Sequence, residues 1–417
     1  MMPSAGTVII GAGQGGFQTA ASLREHGYDE PIVIVGDEDV LPYQRPPLSK
    51  AYLLGEMSAD RLTFRPGAFY ETRNITLMPK DPAVAIDRAA GRVVLASGAA
   101  LPYEHLVLAL GARNRLLPVE GAALDGVLYL RSIADCDAIR QHFAAAQTIV
   151  VVGAGFIGLE IAAVASKLDK QVKVIEALPR VMSRAVTAPM SDFFAAAHAA
   201  WGTELLLDAR LARVDGANGR VTGVTLADGR VLPADLVIAG IGVVPNVELA
   251  QAAGLPASNG IIADAKLATA DPRISAIGDC AAFQDSADGA LIRLESVQNA
   301  VDQARCVAKR IAGMTESYAA VPWFWSDQRD LKLQMVGLTG GCDRTVLRGD
   351  PAARAFSVFC FRGDRLVGIE SVNRAADHMF GRRLLAAGQS IAPDEAADTG
   401  FDLKARLAKL PQSARPA

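Results

Sequence analysis

The apolar positions of this chain change period several times, and the changes mark out its elements. Near the front, Thr7-Val8-Ile9-Ile10 is a short β-branched run, as expected of a strand buried on both faces. The glycine loop Gly11-Ala12-Gly13-Gln14-Gly15-Gly16 follows, then a helical stretch reaching Gly27, which suits a left-handed helix cap. A second apolar run, Ile32-Val33-Ile34-Val35, leads into Gly36-Asp37-Glu38. The same parts return further on. Thr148 to Val152 predicts a strand, and Gly153, Gly155 and Gly158 a loop. Ile157, Ile161, Val164 and Leu168 predict the apolar stripe of a helix, and Val172 to Ile175 the next strand, ended by Glu176. A third pattern starts at Trp323, where strands alternate. Phe356 to Phe361 and Leu366 to Ile369 flank Arg362-Gly363-Asp364-Arg365 as a hairpin.

Both glycine loops fit G-x-G-x-x-G. Glycines there permit a tight turn, close approach of a pyrophosphate and tight helix–strand packing, while the helix N-terminus offers N–H groups and a partial positive charge. An acidic residue at the end of the second strand meets a ribose diol. Asp37 or Glu38 fills that place in the first unit and Glu176 in the second. One such loop is weak evidence; two complete strand–helix–strand units predict two dinucleotides. Glu176 would repel a 2′-phosphate, which favours NADH over NADPH, although Arg180 and Arg184 stand nearby. The first unit then expects FAD. A later segment supports that: Ile274 to Ile277 predicts a short strand ending in Gly278-Asp279 before an expected helix. Asp279 can take hydrogen bonds from a polyol chain or cap that helix, and both roles stay open.

Size and composition narrow the alternatives. A chain of 417 residues holds two or three domains. With 42 Lys and Arg against 45 Asp and Glu, the net charge is −3, so no whole-chain electrostatic case for nucleic acid follows. The five cysteines form neither CxxC nor CxxxxC and are expected to be small buried side chains in a reducing compartment. The five histidines are scattered, and neither HExxH nor G-x-S-x-G occurs, so no metal site and no activated nucleophile is expected. Thr148 to Ala165 is nearly long enough to span a membrane, but its glycines and Glu160 predict a strand and a helix instead. No basic region precedes the first strand, so a signal peptide is not expected and a cytoplasmic location is.

Several motifs together resemble the FAD-dependent pyridine nucleotide reductases: GAGQGG, RPPLSK (Arg45 to Lys50), LALGAR (Leu108 to Arg113), GAGFIGLE (Gly153 to Glu160) and AIGD (Ala276 to Asp279). LESVQNA (Leu294 to Ala300) and PWFWSDQ (Pro322 to Gln328) are similar to the putidaredoxin reductase-like ferredoxin reductases of bacterial cytochrome P-450 and dioxygenase systems. The resemblance implies an α/β fold, with two Rossmann-like dinucleotide-binding domains in a glutathione-reductase-like layout plus a C-terminal α+β domain. The FAD-binding domain would comprise residues 1–112 and 246–320, the NAD-binding domain 113–245 and the C-terminal domain 321–417. Electrons would pass from NADH to FAD to a 2Fe-2S ferredoxin serving an oxygenase such as cytochrome P-450. Without CxxxxC, disulfide reductases of similar layout are disfavoured. A rubredoxin or monodehydroascorbate reductase, an NADH oxidase, and an NADH-sensing flavoprotein akin to apoptosis-inducing factor remain alternatives on the same fold.

Two residues stand out chemically. Glu160 flanks the apolar stripe of its helix and must be paired, ligand-facing or complementary to the helix dipole. Ser49 reads as an N-cap, placing Lys50 at the positive end of a helix, where a cation is disfavoured by about 0.3–1 kcal/mol. The resemblance implies a Lys50–Glu160 pair beside the flavin N5, with Glu160 also contacting the nicotinamide amide. By the same resemblance Gly11, Gly13, Gly15, Gly16, Asp37, Arg45, Pro46, Lys50, Ala83, Ala109, Gly111, Arg131, Gly278, Asp279, Val297 and Trp325 belong to the FAD site. Gly153, Gly155, Phe156, Ile157, Gly158, Glu160, Glu176 and Gly242 belong to the NADH site. Val297 follows an expected Ser296 cap, so that helix would aim its N-terminus at the flavin pyrimidine. Trp323 and Trp325 lie on an electron exit route or simply pack. Arg65 and Arg305 match ferredoxin-facing positions, while Gln334 stands where a lysine is expected. A monomer or weak dimer is expected.

Overall fold

Each β-branched run forms a strand with a parallel neighbour on either side. The computed structural model describes residues 6–285, 289–314 and 317–408, so the segment preceding the first strand lies outside the described residues. The chain divides into two compact units. One gathers Met1–Gln44, Ser58–Arg113 and Val243–Ala320, the other Arg45–Met57, Asn114–Gly242 and Val321–Ala417.

In the first unit, strand Gly6–Ile10 pairs in parallel with Ile32–Val35 on one side and Ala100–Leu108 on the other. Strand Ile75–Met78 lies beyond Ile32–Val35. The sheet buries both faces. Val8, Ile10, Val33 and Val35 enter one core, and Ile9, Ile32 and Ile34 the other, which is why the sequence shows an unbroken apolar run and not an alternation. Ala100–Leu108 serves two partners: its start pairs antiparallel with Arg92–Leu95 and its end parallel with Ile274–Ala276. Strand order reverses around Gly6–Ile10, so the loop at its carboxyl end opens at a topological switch point. The helix that follows, Gln14–Glu25, ends as expected, with Gly27 at φ +75°.

The segment after Gly278-Asp279 corrects the sequence reading. No helix forms there. A single 3-10 turn, Gly278–Cys280, runs straight into strand Ala281–Gln284, which pairs with Gly260–Ala263. Ile277, not Asp279, flanks the turn, so the cap role for Asp279 is lost. Ala281, Ala282 and Phe283 are all buried in the sheet, and that pairing outweighs the helix preference of alanine.

In the second unit, five parallel strands lie in the order Thr203–Leu206, Gln171–Ile175, Thr148–Val152, Leu236–Ala239, Val127–Tyr129. From Trp323 onward the chain forms a five-stranded antiparallel sheet. Its hairpin joins Ala355–Arg362 to Arg365–Val372 with Arg362 opposite Arg365, as the sequence predicts. Helix Ala375–Ala386 covers part of that sheet, giving the C-terminal α+β module.

Two further expectations need revision. Helix Phe156–Lys167 packs on strands of the parallel sheet and also on strand Trp323–Gln328, so every residue from Gly158 to Ala165 is buried. Ile157 and Leu168, assigned to the apolar stripe, are 45% and 39% exposed. A helix covered on two sides has no single apolar stripe. At RPPLSK, a 3-10 turn spans Pro46–Ser49, with Pro46 at its first position, where a fixed φ and a missing N–H cost least. Ser49 ends this turn, so it is not an N-cap, and Lys50 feels no unfavourable dipole from a following helix.

The apolar stretch Thr148 to Ala165 is divided between strand and helix, and no described helix is long and apolar enough to cross a membrane. All five cysteines are free thiols, four of them buried.

Candidate functional site

The two glycine loops share one geometry, and their glycines do different work. In the first, Gly11 has φ +114° and a Cβ there would lie 2.2 Å from the Ala109 carbonyl oxygen; one on Gly16 would lie 1.9 Å from that of Gly11. In the second, Gly153 has φ +103° and its Cβ would meet Gly240 O at 2.5 Å, while one on Gly158 would meet Gly153 O at 2.0 Å. These four glycines are required by packing. Gly13 and Gly155 differ: an added Cβ would find nothing within 4 Å. Each is the N-cap of its helix without a side-chain cap, so first-turn N–H groups face open space. That is the cradle a pyrophosphate fits, and both loops pass the test.

Other predicted positions in the first unit gather around its loop to different degrees. A Cβ on Gly15 would lie 3.2 Å from Ile277 and 3.8 Å from Ala109, so these three belong to one corner. Gly278 has φ +72°, and its N–H donates to Gln303 Oε1 at 2.7 Å. The Asp279 carbonyl accepts from Arg293 at 3.0 Å. Gly111, with φ +63°, accepts from the Asn246 amide at 3.0 Å. Asp37 is exposed just past its strand, whereas Glu38 accepts the Tyr43 hydroxyl at 2.8 Å. Ala83 is linked only indirectly: it follows a turn whose Lys80 and Asp81 amides donate to Glu38 and Gly36. Ser296 caps helix Val297–Ile311 as predicted, its Oγ accepting from Asn299 N at 3.0 Å. Arg65 and Arg305 are exposed, Arg305 lying 3.8 Å from Asp302.

In the second unit Glu176 braces the glycine loop. Its carboxylate accepts from Ala154 N at 2.7 Å and Leu178 N at 2.9 Å, which leaves lone pairs for a ribose hydroxyl. Gly242 is exposed, with φ +98°. The Phe156 ring centre lies 4.5 Å from that of Phe324. Arg45 donates to the Arg131 carbonyl at 2.7 Å. Trp325 stacks at a tilt 5.6 Å from Trp323.

Glu160 sits in a buried cluster of polar groups. Lys50 Nζ lies 2.6 Å from Glu160 Oε2, and Ser49 donates to the same oxygen at 2.5 Å. Ser326 donates to Oε1 at 2.6 Å. Glu160 is 2% exposed, so one cation and two hydroxyls replace the water it has lost. It is also the fifth residue of its helix, past the first turn, and the dipole role gives way to the ion pair.

Sequence reasoning missed Ser326, Gln328 and His198. Gln328 Nε2 donates to Ser326 Oγ at 3.2 Å, and His198 Nε2 faces Gln328 Oε1 at 2.8 Å. A signal existed for two of them: Ser326 and Gln328 alternate with Phe324 along one strand, so polar residues share a face with an aromatic one. His198 carries no such local sign.

Known proteins agree with this geometry. Residues 6–304 match the model of the pyridine nucleotide-disulphide oxidoreductases, and residues 323–407 match that of the reductase C-terminal domain. Rhodocoxin reductase of Rhodococcus erythropolis is 51% identical over 402 residues, covering 96% of this chain and 94% of that protein. The solved ferredoxin reductase for the CYP199A2 system of Rhodopseudomonas palustris is 51% identical with a TM-score of 0.95, covering 97% of this chain and 100% of that one. The covalent putidaredoxin reductase–putidaredoxin complex matches at 39% identity and a TM-score of 0.94, over 98% and 99% of the two chains. With two matching dinucleotide loops and a family match over most of its length, this chain belongs to the pyridine nucleotide-disulphide oxidoreductases.

Proposed function

We propose that the protein is an NADH-dependent ferredoxin reductase, whose 2Fe-2S ferredoxin serves an oxygenase such as a cytochrome P-450. FAD, when bound, exchanges paired electrons from NADH for single electrons to the acceptor. The observation that carries this reading is the duplicated loop in which only the middle glycine, Gly13 or Gly155, faces open space.

The first unit offers FAD the loop of Gly11, Gly13, Gly15 and Gly16. Asp37 is placed for the ribose, and Gly278-Asp279 for the polyol chain. The N-terminus of the helix starting at Val297 favours an electron-rich pyrimidine. The second unit offers NADH the loop of Gly153, Gly155 and Gly158, with Glu176 for the ribose diol. Phe156, Ile157 and Gly242 supply nearby surface. Lys50 Nζ anchors Glu160 Oε2 at 2.6 Å, and Glu160 can then accept from the nicotinamide amide and hold the ring in one orientation. No residue of the chain has to act as nucleophile or general base, because the electrons arrive without either.

The exposed guanidinium groups of Arg65 and Arg305 give the ferredoxin an attractive surface. A monomer or weak dimer in the cytoplasm, where thiols such as these five stay reduced, suits the role.

The test is an anaerobic NADH titration of the yellow holoprotein followed by visible absorbance, then turnover with 2Fe-2S ferredoxins and with rubredoxin. Bleaching by NADH and rapid ferredoxin reduction are expected. A folded protein that takes up no flavin, or a yellow one that NADH does not bleach, ends the reading. Turnover with rubredoxin alone redirects it to rubredoxin reduction.

A further inference from the structure

Beyond Lys50 and Ser49, Glu160 has a third partner that is itself held in place. Ser326 donates to Glu160 Oε1 at 2.6 Å and accepts from Gln328 Nε2 at 3.2 Å, and Gln328 Oε1 faces His198 Nε2 at 2.8 Å. Ser326, Gln328 and His198 are each 0% exposed. Chemistry fixes the direction of every bond. A carboxylate only accepts, so Ser326 spends its one proton on Glu160 and its oxygen accepts the Gln328 amide. The Gln328 oxygen is then left facing the imidazole, which must carry its proton on Nε2. Burial pushes His198 down to about 4, so the neutral ring is the form present near neutral pH.

We propose that Ser326, Gln328 and His198 are positioning residues for Glu160, forming an aligned donor chain that fixes the plane of its carboxylate. The inference rests on Glu160 being the group that orients the nicotinamide. Lys50 and Ser49 both meet Oε2, so they anchor one oxygen and leave the other free to swing about it. Among the described residues Ser326 alone holds Oε1, and Ser326 is oriented by Gln328 and His198 behind it. Removing the chain should misalign the bound nicotinamide more than it weakens binding, so the loss belongs in the limiting rate and not in affinity.

The experiment is anaerobic stopped-flow reduction of the holoenzyme over a range of NADH concentrations, for Ser326→Ala, Gln328→Leu, His198→Leu, His198→Gln and Glu160→Gln. Flavin content and melting temperature are recorded for each. Ser326→Ala should lower the limiting rate of flavin bleaching about tenfold, the scale of one hydrogen bond to a charged group. Its half-saturating NADH should stay within about twofold. Gln328→Leu and His198→Leu should show smaller losses of the same kind. His198→Gln restores a donor to Gln328 and should recover most of the rate. An unchanged limiting rate in Ser326→Ala beside a slow Glu160→Gln overturns the proposal alone. His198→Gln as impaired as His198→Leu, with rate falling in step with melting temperature, overturns it in favour of a merely structural role. A Glu160→Gln enzyme as fast as the parent overturns both the relay and the orienting role of Glu160. Should Ser326→Ala fail to fold, Gln328→Leu and the two His198 variants decide the matter.

Discussion

Lys50 and Glu160 meet at 2.6 Å but differ in exposure: the lysine side chain is 20% exposed and the carboxylate 2%. The open side of the pair is therefore its cationic end, and the anion depends on protein groups for all its solvation. Lys50→Met should leave a buried, uncompensated carboxylate and destabilise the protein by about 3 kcal/mol or more. Glu160→Gln should cost less, because Lys50 can still reach water, and Lys50→Met with Glu160→Gln should recover much of the loss. Denaturant unfolding of the three variants checks the order. Both single variants should slow flavin reduction by NADH, Glu160→Gln by roughly a hundredfold, the scale of misplacing a reactant.

The glycine loops separate packing from binding. Gly16→Ala and Gly158→Ala place a Cβ within 2.0 Å of a backbone oxygen and should prevent a stable fold of their units. Gly13→Ala and Gly155→Ala meet no protein atom within 4 Å and should fold. Gly13→Ala should release flavin, whereas Gly155→Ala should keep flavin and bind NADH at least about tenfold more weakly, through steric conflict with the pyrophosphate. Flavin content and NADH titration distinguish the two.

Glu176 accepts from two backbone amides, and in the proposed NADH site its carboxylate would repel a 2′-phosphate. Glu176→Ala should raise the KM for both coenzymes by loosening the loop. It should also narrow the preference for NADH over NADPH by about tenfold, because only one coenzyme gains from losing the charge. Steady-state kinetics with each coenzyme gives the ratio. A raised KM with an unchanged ratio would confine Glu176 to bracing the loop.

His198 and His378 are buried and pushed down from 6.5 to about 4, chiefly by desolvation. Both stay neutral in the folded protein while the unfolded chain takes up their protons, so stability is full above about pH 6.5 and falls as the pH drops towards 4. The slope per histidine should approach about 1.4 kcal/mol per pH unit within that window. Among the described residues neither ring nitrogen of His378 has a hydrogen-bond partner. His378→Phe should therefore be neutral or stabilising at pH 7 and should flatten the acid limb, as measured by melting temperature against pH.

The proposed docking through Arg65 and Arg305 should make turnover with an acidic ferredoxin salt-dependent. The second-order rate should fall steeply between about 0.01 and 0.3 M salt, as screening shortens the reach of exposed charges. Arg65→Glu and Arg305→Glu should lower it at low salt without altering flavin bleaching by NADH. A flat salt profile would place the docking surface elsewhere.

Much of the architecture was legible because local rules act over a few residues. The strands Ile32–Val35 and Thr148–Val152, the Ser296 cap and the Arg362–Arg365 hairpin all appear where the apolar period and turn residues put them. The misses share a cause. Ala281–Gln284 became a strand because Gly260–Ala263 offered it a ladder. Helix Phe156–Lys167 lost its stripe because a second sheet covers it. Ser49 reads locally as an N-cap, and nothing nearby marks it as a donor to a carboxylate 111 positions away.

By itself the sequence determined the two nucleotide loops, the acids that follow them and the change to an antiparallel module, since backbone preference and burial period are written residue by residue. The Lys50–Glu160 pair was implied by resemblance, but only the tertiary structure decided which donors complete the surroundings of Glu160. Ser49 and Ser326 reach it from distant segments, with Gln328 and His198 behind Ser326, because a buried carboxylate must find in folded protein the donors that water would otherwise supply.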